Sequence, residues 1–109
     1  MAFLIYSTWP NQKTAQQAVQ TLVEEGLIAC GNIGPAMTSL YAWQGKTQSE
    51  TEIPVWLKTG ATDLSRLREQ FLSLHPFEVP AFMAIAIDEA QSHGPFIDWL
   101  QREVGTTNG

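Results

Sequence analysis

The stretch TSLYAWQGKTQSETEIPVWLKT, residues 38–59, reads as two extended arms joined by a tight turn. Thr38 to Trp43 forms the outgoing arm, Gly45-Lys46 sits where a hairpin turns, and Glu50 to Thr59 returns. Strand side chains alternate between faces, so Ile53, Val55 and Leu57 share one side of the returning arm. Glu52, Trp56 and Lys58 share the other. Pro54 has no N–H for a ladder, which predicts a sheet edge or a bulge opposite it.

Both flanks of the hairpin carry strand and helix signals. Upstream, the apolar run at residues 2–7 predicts a buried strand. Asn11 is a good helix cap, and Ala15, Ala18, Val19, Leu22 and Val23 recur at helical spacing up to Gly26. Leu27 to Ile33 reads as a strand with small residues, interrupted by Gly34-Pro35 before the hairpin arm resumes. Downstream, Thr62 or Asp63 caps a second helix with Leu64, Leu67, Phe71 and Leu74 on one stripe, and His75-Pro76 ends it. Val79 to Ile87 reads as a strand. Ser92 to Glu103 reads as a closing helix, with Pro95 in its first turn and Phe96, Trp99 and Leu100 inward. The tail from Gly105 to Gly109 is expected to be loose. The order is βαββαβ plus a C-terminal helix, an α+β, ferredoxin-like pattern: an antiparallel sheet with helices on one face. The other face is left bare, and Tyr41, Trp43 and Trp56 on the hairpin predict an aromatic patch there. Such patches mark partner surfaces, which predicts a homo-oligomer whose subunits cover one another's sheets.

Composition narrows the function. The 109 residues suit one domain, 1–109, and 44% hydrophobic content with a net charge of −5 excludes disorder. No apolar run nears the roughly 18 residues that a membrane helix needs. Met1 to Tyr6 has no basic lead and too short an apolar stretch for a secretory signal. Cys30 is the single cysteine, which excludes an internal disulfide and leaves a cytoplasmic protein as the expectation. Six scattered Lys and Arg against eleven Asp and Glu offer no footprint for nucleic acid.

Signatures of catalysis are missing: no phosphate-cradling glycine loop, no Gly-x-Ser-x-Gly elbow, and no Ser or Cys local to His75 or His93. The chain is therefore read as no enzyme. Cys30, His75 and Glu78 are the metal-ligating residue types at issue, and their thiol and imidazole suit copper or zinc. Without a Cys-x-x-Cys or His-x-x-x-His pair, such a site is weak, open or shared between subunits. For Cys30 the simpler reading is a small buried apolar residue of a strand. In His75-Pro76-Phe77-Glu78-Val79-Pro80 the two prolines hold an imidazole, a ring and a carboxylate rigidly, either as a binding site or as a stiff connection. Glu52 and Lys58 are an ion pair or two ends of a polar ligand's site.

Several of these pieces, in this order, resemble the CutA divalent-cation tolerance proteins. They are Pro10-Asn11, Leu22-Val23-Glu24-Glu25, Ala29-Cys30-Gly31-Asn32-Ile33, Ser39-Leu40-Tyr41 with Trp43, Gly45-Lys46, Lys58-Thr59, Leu74 to Pro80, and Trp99-Leu100. The resemblance spans nearly the whole chain. It implies a ferredoxin-like protomer, a tight homotrimer similar to the PII signalling proteins, and tolerance of copper and other divalent cations. It brings no established reaction and no organic cofactor. It implies Cys30, His75 and Glu78 as metal or ligand residues, and it places Tyr41, Trp43, Glu52, Trp56 and Lys58 in a cleft between subunits. The family usually carries Tyr where Phe77 stands and Glu where Ala81 stands, so a hydroxyl and a carboxylate are lost here. It usually has Val at Gly31 and Gly at Ala90, and the loop Gln91 to Pro95 is longer. Three functions follow as expectations: a trimer binding copper or another divalent ion, a PII-like module binding a small anion between subunits, or a scaffold whose assembly is its function.

Overall fold

The computed structural model describes residues 1–104. The expectation for Gly105 to Gly109 lies outside the described residues. The chain forms β1 (Phe3–Trp9), α1 (Gln12–Glu24), β2 (Cys30–Ile33), β3 (Met37–Trp43), β4 (Lys46–Thr59), α2 (Ser65–Leu74), β5 (Met83–Ala86) and α3 (Gly94–Glu103). The sheet is antiparallel throughout, in the order β2-β4-β1-β5, with β3 paired to the first half of β4. This is the ferredoxin-like arrangement, with the second strand split into β2 and β3.

Local chemistry sets the boundaries. Asn11 Oδ1 accepts the Thr14 amide at 2.8 Å, capping α1. Gly26, at φ 72°, closes it: Gly26 N–H donates to the Val23 carbonyl and Leu27 N–H to that of Leu22, the paired bonds of a left-handed helix end. The hairpin turns one residue earlier than expected. Gln44 and Gly45 have φ 51° and 78°, and two positive φ values match the right-handed twist of the arms. Asp63 serves α2 from just outside, its Oδ1 accepting both the amide and the hydroxyl of Ser65, while Leu64 takes the cap position.

Pro54 finds its bulge. Ile33 pairs with Val55 and Met37 with Glu52, so Gly34, Pro35 and Ala36 stand opposite Ile53 and Pro54. Three residues against two make a bulge, which splits β2 from β3. The Gly34 amide donates to the Pro54 carbonyl at 2.9 Å, so the imide side of Pro54 faces this break rather than a ladder partner.

The helix-covered face holds the core. Ile5 and Trp9 from β1, Ile53, Val55 and Leu57 from β4, and Ala15, Ala18, Leu22, Leu67 and Phe71 from α1 and α2 are all buried together. Each large side chain in it contributes about 1.5–3 kcal/mol. Ser7 shares this interior, its hydroxyl donating to the Val55 carbonyl and accepting from the Trp9 indole. A smaller cluster joins Ile97 and Leu100 of α3 to Ala2 at the end of the sheet.

Further expectations need correction, and the returning arm itself, β4, starts at Lys46 rather than Glu50 because it pairs with β3 right up to the turn. β1 runs two residues further, because Trp9 is long enough to reach Phe71. Leu27 and Ile28 are buried but lie in the connection before β2, where their amides reach back to the Leu22 carbonyl. The strand expected over Val79 to Ile87 shortens to Met83–Ala86, because Pro80 withholds a donor and residues 76–82 take bends and irregular backbone. Phe96 is 42% exposed rather than inward, while Ile97 takes the buried place on α3.

Candidate functional site

The face turned away from α1 and α2 carries rows of side chains set by register. Cys30, Lys58, Leu4 and Ile85 align across β2, β4, β1 and β5. Asn32, Trp56, Tyr6 and Met83 form the next row, in which the Tyr6 and Trp56 rings pack with centroids 4.6 Å apart. Beyond the bulge, β4 continues on the same face with Glu52, Glu50, Gln48 and Lys46, opposite Met37, Ser39, Tyr41 and Trp43 of β3. Only one end of this face is covered by α3: the Lys58 ammonium lies 5.7 Å from the centre of the Phe96 ring. Trp43, Met83 and Ile85 remain exposed, at 61%, 56% and 43%.

An open cleft of about 720 Å³ lies where the hairpin meets the segment after α2. Tyr41, Trp43, Glu50 and Glu52 form its hairpin wall, and Phe77, Glu78, Val79 and Ala81 form the facing wall. Thr8 and Pro10 supply the floor from the end of β1. A smaller hollow of about 320 Å³, among Glu25, Leu27, Arg66, Glu69 and Gln70, lies near the exposed Gln70–Glu25 hydrogen bond between α1 and α2.

His75 ties the two walls to the core. Its Nε2 lies 2.8 Å from the Thr8 carbonyl oxygen, and its Nδ1 accepts the Phe77 amide at 3.1 Å. Those partners fix a neutral ring protonated on Nε2. The ring is 6% exposed and packs on Trp9, Phe71 and Phe77 at centroid distances of 4.1, 5.5 and 4.8 Å. Burial holds the imidazole below its ordinary pKa, and the Thr8 carbonyl and the Glu52 charge offset part of that shift.

The expected site residues separate into three places. Tyr41, Trp43, Glu52 and Glu78 come together around the cleft. Trp56 and Lys58, expected with them, stand further along the same face. Cys30 is half-buried beside Lys58, four residues along β4 from the Thr8–Pro54 pair. Burial pushes its thiol pKa up, and the Lys58 ammonium pulls part of that back. Among the described residues no three His, Cys, Asp or Glu side chains form a group that could hold a metal ion. One chain therefore does not gather Cys30, His75 and Glu78 into a closed site, and His75 can ligate only by releasing Thr8 or Phe77. Thr8, Pro10, Glu50 and Thr51 escaped the sequence reading of the site, whereas Val79 belongs to the rigid segment singled out there. Glu50 alone had a signal, two residues before Glu52 and thus on its face.

The topology and the open sheet face define a ferredoxin-like, PII-like class of protein, which comparison with known proteins narrows. The family model for the CutA1 divalent ion tolerance protein matches residues 3–103, and the chain belongs to that family. A divalent-cation tolerance protein CutA from Thermus thermophilus is 35% identical over 105 residues, covering 96% of this chain and all of that one. The solved Thermus structure superposes with a TM-score of 0.89 at 35% identity, over 96% of this chain and 100% of that one. A PII-like protein CutA from Nostoc superposes at 0.85 with 29% identity, over 94% and 96% of the two chains. A CutA homolog from Xenopus laevis is 37% identical over 87% of this chain, which spans 62% of that longer protein.

Proposed function

We propose that this chain forms a homotrimer in the cytoplasm and acts in divalent-cation tolerance. It binds copper or another divalent ion weakly or in a site shared between subunits, without catalysis or an organic cofactor. The observation that carries this reading is Cys30, the one thiol of the chain, half-buried on the sheet face turned away from α1 and α2. It stands there in a chain whose family is described by divalent ion tolerance. Assembly has its support in the sheet edges. Among the described residues β5 pairs only with β1, and β3 only with β4, so two unlike edges lie far apart on one protomer. Edge-to-edge contact between them is heterologous and closes into a ring when the rotation allows. A subunit seated on the face would bring its own donors toward Cys30 or Glu78.

Light scattering and a copper titration test this together. The expected result is three chains per particle and a copper-binding event that Cys30→Ser removes or weakens at least tenfold. A monomer, or a titration unchanged by Cys30→Ser, overturns it.

The PII-like alternative, a small anion held between subunits, draws support from Lys58 on the open face and from the similarity to the Nostoc protein. The acidic lining of the cleft opposes it. Thermal stabilisation by nucleotides or organic anions, and not by metal ions, would favour it.

A further inference from the structure

The closing helix has a seat of its own. α1 and α2 pack into the main core, whereas α3 rests on a separate cluster, Ala2, Ile97 and Leu100, edged by Ala29, Ile87 and Trp99. That cluster lies where β4 finishes, at the far end of the strand from the hairpin turn at Gln44 and Gly45. A helix of ten residues is marginal in water without packing, and His93 gives α3 no side-chain cap bond of the kind Asn11 gives α1. The form of α3 therefore depends on its docking.

Two residues shape that docking. Gly60 follows β4, and a Cβ there would stand 2.4 Å from Gln101 Cα and 2.6 Å from Gln101 N. These are backbone atoms of α3, which no side-chain rotation moves aside. Gly60 itself lies outside the left-handed φ region, so its own backbone accepts alanine and only the approach of α3 demands glycine. Glu89, in the loop before α3, spans both sides of the contact. One carboxylate oxygen accepts the Ala2 amide at 2.7 Å, and the other accepts the Gln101 side-chain amide at 3.4 Å.

The ground beneath α3 is the end of the sheet that bears Cys30. The Phe96 ring lies 5.7 Å from the Lys58 ammonium, and Ala29 packs at the edge of the α3 cluster. Ala29 precedes Cys30 in the chain, and Lys58 is the partner of Cys30 across the ladder. Proteins open in units whose stability follows how much each one buries. The main core runs through both other helices and three strands of the sheet, whereas α3 buries one small cluster. Release of α3 is thus the opening that disturbs least, and it uncovers the residues on both sides of Cys30.

We propose that α3 is a latch, which opens and closes over the Cys30–Lys58 end of the sheet while the core beneath α1 and α2 stays folded, with Glu89 holding it shut. The proposal is independent of metal binding, since neither readout below involves a metal.

The test uses the full-length protein in its native assembly. Hydrogen exchange compares α3 with α1, and Ellman's reagent follows Cys30, the single thiol. Amides of α3 are expected to exchange about tenfold faster, or more, than those of α1. Gly60→Ala should speed both α3 exchange and Cys30 labelling about fivefold, with α1 exchange and the mass in solution unchanged. Glu89→Ala should speed both about twofold, and it carries the test if Gly60→Ala does not fold. Exchange of α3 in step with α1, as firm contacts with sister copies would produce, overturns the proposal. So does wild-type labelling of Cys30 in the folded variants, or a variant that speeds α1 and α3 alike.

Discussion

The imidazole Nε2 of His75 lies 2.8 Å from the carbonyl oxygen of Thr8 and couples the end of β1 to the segment that follows α2. With Nδ1 accepting from Phe77, the ring serves as a neutral strut in an aromatic cage. Its folded pKa is depressed by burial, so the unfolded chain binds the proton more readily. The stabilisation is therefore complete above the unfolded pKa of about 6.5 and is lost as pH falls from there through the lower folded value. Protonation also turns Nδ1 into a donor facing the Phe77 N–H. Melting temperatures between about pH 7.5 and pH 5 should fall for the wild type and change less for His75→Gln. Parallel curves would refute this role. At the higher pH, His75→Ala should cost about 2–4 kcal/mol, because it strands a buried carbonyl and an amide.

Ser7 has a comparable task in the core. It is fully buried, donating to the Val55 carbonyl at 3.1 Å and accepting the Trp9 indole N–H at 3.0 Å. Ser7→Ala leaves the buried Trp9 indole N–H without a partner and removes one of the bonds to the Val55 carbonyl, which stays in the ladder opposite Ser7. Urea unfolding should show a loss of about 1–3 kcal/mol at unchanged slope. A loss below about 0.5 kcal/mol would mean that the relay has no energetic role.

The element order was legible because each piece carries its own period. The hairpin alternates at two, and α1 and α2 repeat near 3.6, with Asn11 and Gly26 marking the ends of α1. What failed was local and has physical causes. The apolar run at residues 2–7 stops short of Thr8 and Trp9, yet Trp9 extends β1 because its indole packs on Phe71 and His75. Phe96 and Ile97 are neighbours on α3, and periodicity alone did not say which one turns inward. For the site, the rigid segment from His75 to Pro80 stood out, and Phe77 and Glu78 do line the cleft. The contributions of Thr8 and Pro10 were invisible, since they depend on long-range packing that brings β1 beside that segment.

Gly31 marks a close approach of α1 to the sheet. A Cβ there would stand 2.6 Å from Val19 Cγ1 and 3.3 Å from Leu57 Cδ2. Val19 is held in one rotamer by its helix and cannot swing aside. Gly31→Val should therefore cost about 1–3 kcal/mol by overpacking. Combining it with Val19→Ala should recover much of that loss, since one change makes the room that the other fills. Denaturation of the two single variants and the double reads out the coupling, and strict additivity would show that the two sites do not share this space.

Met83 and Ile85 bear on assembly. They project from β5 at 56% and 43% exposure, in line with Tyr6 and Leu4, and extend the apolar part of the open face to its edge. Lysine at both positions removes apolar area and places like charge near Lys58, while the helix-side core is left intact. If copies of this chain cover that face, Met83→Lys/Ile85→Lys should reduce the mass in solution to that of one chain with an unchanged far-ultraviolet spectrum. Its melting temperature should then no longer rise with protein concentration, as that of an associating protein does. An unaltered mass would move the contact away from β5 and leave the hairpin edge, β3, as the surface through which copies meet.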